Sequence, residues 1–252
     1  MATSKPPAPP QHTPLARLAE GYWAESRRPL ASLVFIAPLL VTYEAGLLVL
    51  GHYAVQNGAD VWLRGSLTFL GFGQYFLLPI LTVCILLGWH YTTRQSWRIS
   101  RGLLWAMTGE CLALAICLRL LVYLQAMLSQ VVAEAVRLDI FSTIPSGVGQ
   151  AIGFLGAGIY EELLFRLIML SLLAWGLKRL GMTDRKRMVI AVLLTSLLFS
   201  AAHYVGKYGE DLDAFSFLFR FLAGIFFSVL FVYRGFGIAA GTHAGYNILA
   251  GL

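Results

Sequence analysis

The chain has 252 residues, 58% of them hydrophobic and 13% charged, and carries a net charge of +6. Soluble domains carry about 25% charged residues, so this composition, with a mean hydropathy of +0.71, excludes an ordinary water-soluble enzyme. The Lys and Arg residues fall in short clusters between apolar blocks and form no stripe, which excludes nucleic acid as their partner and matches the loops of a membrane protein.

Taken in chain order, the first 28 residues read as a cytoplasmic tail. Pro6, Pro7, Pro9, Pro10 and Pro14 prevent a packed helix at its start. No apolar stretch of signal-peptide type follows the first residues. Residues 15–28 read as a short interfacial helix, with Tyr22 and Trp23 at headgroup level. Residues 29–252 form one membrane domain.

Apolar blocks of about 20 residues match a bilayer core of about 30 Å, and they predict seven spans. These are Pro29–Gly51, Tyr75–Tyr91, Leu103–Leu128, Val148–Leu177, Met188–Val205, Phe215–Tyr233 and Gly237–Leu252. A tilted segment from Val61 to Gly73 precedes the second. The expected fold class is therefore all-α, a polytopic transmembrane bundle. Basic residues alternate from loop to loop. Arg17, Arg27 and Arg28 flank the first span, Arg94, Arg98 and Arg101 the third, and Lys178, Arg179, Arg185, Lys186 and Arg187 the fifth. The intervening loops carry Arg64, Arg137 and Lys207 singly, the last against Glu210, Asp211 and Asp213. The N-terminus is therefore expected in the cytoplasm of a cell membrane. No internal repeat suggests the inverted halves of a transporter.

Charge at membrane depth costs about 2.5–3.5 kcal/mol per residue, so polar groups inside spans need partners and often have a function. The fourth span runs from Ala151 into Glu161-Glu162-Leu-Leu-Phe-Arg166. Adjacent carboxylates diverge by about 100° on a helix. Glu162 and Arg166, at i and i+4, can neutralise one another, which leaves Glu161 to point elsewhere. The fifth span ends in Phe199-Ser-Ala-Ala-His203 and the seventh contains His243-Ala-Gly-Tyr-Asn247. Ala201, Ala202, Gly241, Ala244 and Gly245 permit close helix approach, which would carry both imidazoles toward Glu161. Such a set can move a proton between water and a leaving amine and donate hydrogen bonds to an oxyanion. Glu plus two His is also a sufficient three-ligand zinc set.

These motifs, Glu161-Glu162-x-x-x-Arg166, Phe199-x-x-x-His203 and His243-x-x-x-Asn247, resemble those of the CPBP intramembrane proteases, also called the CAAX-protease and bacteriocin-processing or Abi family. The resemblance covers about residues 145–252. It implies some eight helices around a conical central cavity. It also implies that Glu161 activates water with help from His203, that His243 and Asn247 stabilise the oxyanion, and that Glu162 and Arg166 support the site. The family has been described both as zinc-dependent and as metal-independent. The reading adopted here is a glutamate mechanism without a cofactor, with zinc held by Glu161, His203 and His243 as the alternative. No HExxH helix is present to suggest the usual zinc peptidase.

The expected function is an intramembrane endopeptidase acting on a membrane-associated peptide or protein. The alternatives are a catalytically silent scaffold or immunity-type protein of the same family and, from another class, a proton relay or transporter. Other polar residues carry blander expectations. Glu44, Glu110 and Arg119 read as packing or cavity residues. His52 and His90 read as interfacial residues at span ends, and His12 falls in the tail. Arg220 reads as a snorkelling residue at the outer interface. The run Phe215–Phe231 reads as lipid-facing, and Cys84, Cys111 and Cys117 as buried small hydrophobes. One tension concerns depth. His243 falls near the inner start of its span, whereas Glu161 and His203 fall in the middle or outer half of theirs. Gly235, Gly237, Gly241 and Gly245 predict that the segment before the seventh span dips into the cavity.

Overall fold

The computed structural model describes residues 21–51, 55–128, 147–206 and 209–251. The expectations placed on residues 1–20 (among them Arg17 and His12), His52, Arg137 and Lys207 lie outside the described residues. Residues 21–26 form a helical turn. The main helices follow as α1 (Pro29–Leu50), α2 (Gly58–Phe69), α3 (Leu77–Thr93) and α4 (Arg101–Leu128). A long composite helix, α5, joins Val148–Glu162, Leu163–Leu170 and Ser171–Arg179. Helices α6 (Asp184–Ala202), α7 (Ala214–Arg234) and α8 (Phe236–Gly251) complete the bundle. No strand occurs among the described residues, so the fold is all-α.

The seven expected segments are helical, as α1 and α3–α8, within a few residues of the expected bounds. At 1.5 Å per residue, the 22 residues of α1 extend about 33 Å, enough for a bilayer core. Helices α1, α4 and α7 are each long and apolar enough to cross a membrane, and α3 is apolar but shorter. The chain is an integral membrane protein. The tilted segment expected before the second span is the twelve-residue helix α2, which starts at Asn57.

Helix α8 is the axis of the bundle. Its first nine residues, Phe236 to Ala244, are all buried, and it packs against α1, α4, α5 and α7. The dip expected before the seventh span does not occur. Gly235, at φ +87°, ends α7, and α8 begins at the next residue. Only glycine adopts that backbone freely, so a one-residue turn suffices and α8 starts already inside the protein.

Two ends of the bundle can be distinguished. At the proximal end, Arg28 donates 2.9 Å hydrogen bonds to the carbonyls of Ser96 and Arg98. Arg234 pairs with Glu110 at 2.6 and 2.7 Å and donates to Ser26 at 3.0 Å. Tyr22 donates to the same Glu110 at 2.5 Å. Glu110 thus ties the N-terminal flank to the end of α7. At the distal end lie the α1–α2 connection, the α6–α7 loop and the start of α5.

Several blander expectations are corrected by packing. His90 is fully buried in the last turn of α3, edge-on to Trp97 at 4.7 Å, and so does not snorkel outward. Cys84 and Cys117 face outward and only Cys111 is buried, because the apolar helices that carry them present those faces to lipid. One phenylalanine of the α7 run, Phe227, turns inward and is buried beside His243, while the others are half-buried. Arg220 is held by Glu210 at 2.7 and 2.8 Å.

Candidate active site

The site begins with a close helix approach. An added Cβ at Gly158 would lie 2.7 Å from both the Cβ and the backbone nitrogen of Ala244. Only glycine lets α5 and α8 come this near, and one turn later Glu161 and Glu162 meet His243. On the other flank, α7 approaches α6 at Gly224, where a Cβ would fall 2.9 Å from Ser196. That contact draws α6 inward with His203 at its C-terminal cap.

Glu162 and Arg166 form the expected i,i+4 pair at 3.1 Å, both essentially without solvent exposure. Arg166 Nη2 also donates to the carbonyl of Gly224 at 3.3 Å, and its guanidinium lies 4.3 Å from the Phe199 ring centroid. Immediately after Glu162 the helix widens into a π-helical segment, Leu163–Leu170. Such i→i+5 turns occur frequently at functional sites. The sequence offered no signal for it.

Glu162 has a second partner that the i,i+4 spacing does not reveal. Its Oε1 lies 2.8 Å from His243 Nδ1. A carboxylate accepts, so Nδ1 carries the proton and Nε2 turns toward Glu161. His203 is fixed in the same sense. Its Nδ1 lies 2.8 Å from the carbonyl oxygen of Phe199, which can only accept. Both imidazoles therefore present Nε2 to one carboxylate oxygen, Glu161 Oε2, at 3.7 Å from His243 and 4.0 Å from His203. The His243 ring is stacked on Phe227 with centroids 4.4 Å apart, and Phe199 packs edge-on to His203 at 5.0 Å.

Glu161 Oε2 is buried without a hydrogen-bond partner among the described residues. Its other oxygen accepts from Asn57 Nδ2 at 2.5 Å. Sequence reasoning missed Asn57. An Asn-Gly pair followed by Asp60 is a helix-start pattern, and the Asn57 side-chain oxygen indeed caps α2 by accepting from Ala59 at 2.8 Å. Capping fixes the amide so that its NH2 group faces Glu161.

A second polar cluster supports this end of α2. Arg64 pairs with Glu44 at 2.8 and 3.1 Å, with Asp60 at 2.7 Å, and with the carbonyl of Tyr75. Tyr160 donates to Glu44 at 2.5 Å and Tyr43 to Asp60 at 3.0 Å. Glu44 is thus a structural partner of Arg64, one residue away from Glu161 through Tyr160.

A cavity of about 340 Å³ reaches Glu161. Asn57, Trp62, Phe165, His203, Val205 and Glu210 line it. An apolar groove of about 400 Å³ between α2, α5 and α6 shares Trp62, Phe165, Ala202 and Val205 with it. The structure thus brings Glu161, Glu162, Arg166, His203 and His243 together. Asn247 stands one turn beyond His243 on α8, half-buried, and is not joined to the cluster by any hydrogen bond. As a zinc set, Glu161, His203 and His243 do not fit as arranged. No group of three His, Cys, Asp or Glu among the described residues is spaced to hold a metal ion.

Comparison with known proteins gives one match. No curated protein and no solved structure matches the chain. The family described as type II CAAX prenyl endopeptidase Rce1-like matches residues 145–249, a segment that contains the three motifs and both histidines of the cluster. Over that segment, 105 of the 252 residues, the chain is similar to the Rce1-like family of CAAX proteases.

Proposed function

We propose that the protein is a membrane-embedded peptidase in which Glu161 activates a water molecule for attack on a peptide carbonyl. One observation carries the reading. A buried carboxylate oxygen without a protein hydrogen bond faces the Nε2 atoms of two imidazoles at 3.7 and 4.0 Å. A water among these groups has a base and two oriented ring nitrogens within reach, as general acid–base catalysis requires.

The roles follow from the hydrogen bonds. Asn57 holds Oε1 of Glu161, so Oε2 is the reacting oxygen. His203, with Nδ1–H committed to the Phe199 carbonyl, orients the water through Nε2. His243 has a carboxylate beside each ring nitrogen, Glu162 at Nδ1 and Glu161 at Nε2. A ring so flanked can carry a proton on both nitrogens and donate from Nε2 to the oxyanion of a tetrahedral intermediate. Asn247, four residues further along α8, is proposed as the second donor. Glu161 then passes the abstracted proton to the leaving amine. Arg166 holds Glu162 in place. The apolar groove that continues the cavity supports an apolar side chain of the substrate beside the scissile bond.

The arginine and lysine clusters at 27–28, 94–101 and 178–187, all at the proximal end, support a cytoplasmic N-terminal flank. The test of the peptidase reading is hydrolysis of a membrane-associated peptide by the purified protein. Wild type should cleave, and Glu161→Ala and His203→Ala should lose about 10²–10⁴ in rate. Equal activity in all three rejects the reading. A cellular phenotype that survives both substitutions favours a silent scaffold.

A further inference from the structure

The cluster around Glu161 is closed on one side and open on the other. Toward the proximal end it is plugged by the Glu162–Arg166 pair and by Phe199 and Phe227, all buried. Its cavity opens among distal segments, the start of α2 at 57–62, residues 202–206 and Glu210. The two ends also differ in charge. The proximal segments carry the arginine and lysine clusters. Around the distal mouth the cations stand singly, as Arg64 on α2 and Arg220 on α7. Cation-rich segments stay in the cytoplasm, and acidic residues contribute little to orientation.

We infer that the mouth of the site faces the non-cytoplasmic side of the membrane, and that the substrate is a peptide segment presented from that side with an apolar residue at the cleavage point. The second half rests on the peptidase reading and the first does not. A substrate confined to the cytoplasm would meet the plugged end, where Arg166 and two phenylalanine rings stand between it and Glu161. A segment arriving from outside meets Trp62, Val205 and the open cavity directly, and can lay an apolar side chain into the groove bounded by Leu164, Met169 and Leu198.

Cysteine labelling in intact cells tests the orientation without any need for turnover. In a background with Cys84 and Cys117 replaced by alanine, Leu212→Cys reports the distal loop and Arg185→Cys the proximal one. Both positions are exposed. A membrane-impermeant maleimide should label Leu212→Cys in intact cells, and Arg185→Cys only after the membrane is opened. The reverse pattern overturns the inference. A companion experiment tethers one apolar reporter peptide to either face of the membrane. Cleavage from the non-cytoplasmic face alone, abolished by Glu161→Gln, supports the substrate half, and cleavage from the cytoplasmic face overturns it. If neither reporter is cut while Leu212→Cys labels from outside, the orientation stands and the peptidase reading falls.

Discussion

Two buried acidic clusters lie within a few residues of one another, and they are built on opposite principles. Around Arg64, both carboxylates are saturated. Glu44 receives two bonds from Arg64 and one from Tyr160, and Asp60 receives one from Arg64 and one from Tyr43. Around Glu161, polar capacity is left over. Glu161 Oε2, Glu162 Oε2 and Arg166 Nε have no hydrogen-bond partner among the described residues. An unsatisfied buried polar group costs about 1–3 kcal/mol. Unpartnered buried atoms occur elsewhere too, at His90 and Ser196, and what sets the Glu161 cluster apart is that its open oxygen lies on a carboxylate that two imidazoles face.

The comparison can be broken by exchanging the responses of the two clusters. Arg64→Met removes the shared cation and strands two buried carboxylates, a loss of about 3–5 kcal/mol when one partner of a buried pair is deleted. It should lower the melting temperature in detergent sharply. Glu161→Gln should abolish hydrolysis and leave melting unchanged or raised, because it removes an uncompensated buried charge. If Glu161→Gln destabilises as much as Arg64→Met, the two clusters do not differ as described.

Gly158→Ala asks whether the close α5–α8 approach assembles the site. Its Cβ would meet Ala244 at 2.7 Å. Overpacking of this kind costs about 1–3 kcal/mol, and the shift should separate Glu162 from His243. Turnover should fall more steeply than stability. Unchanged turnover would show that the site tolerates a wider helix spacing than the geometry implies.

Asn57→Ala sharpens the boundary between the clusters, since Asn57 belongs to both the α2 cap and the Glu161 site. Loss of the cap costs about 1 kcal/mol. Asn57→Ser retains capping but is too short to donate to Glu161. Melting should therefore recover in the serine variant while hydrolysis stays impaired. Recovery of both would reduce Asn57 to a cap. The smallest expected effect is that of chelation. On the glutamate mechanism, a zinc chelator leaves the turnover of purified protein unchanged, whereas loss that added zinc restores would replace that mechanism with a metal-dependent one.

The legible parts of the molecule were those governed by local rules. Span positions followed from runs of apolar residues, and the Glu162–Arg166 pair followed from helical periodicity. The gathering of Glu161, His203 and His243 was foreseen from motifs and small residues rather than from periodicity. What was not legible depended on neighbours remote in sequence. Asn57 lies 104 residues from the carboxylate it contacts, and Arg64 lies 20 from Glu44. The His243–Glu162 bond spans 81 residues. His90 and Phe227 were misjudged because an apolar helix in a bundle has no polar face to announce which side is inward.

The amino-acid order by itself determined an all-helical membrane protein, the helices that carry its charged residues, and the residue types available for chemistry. These follow from bilayer thickness and helical pitch, which act along the chain. Only the tertiary structure decided which carboxylate oxygen both imidazoles face, which ring nitrogen each turns inward, and at which end the cavity opens. Those outcomes depend on how closely α5, α6, α7 and α8 can approach, and that distance is set jointly by glycine contacts such as Gly158 against Ala244 on separate helices.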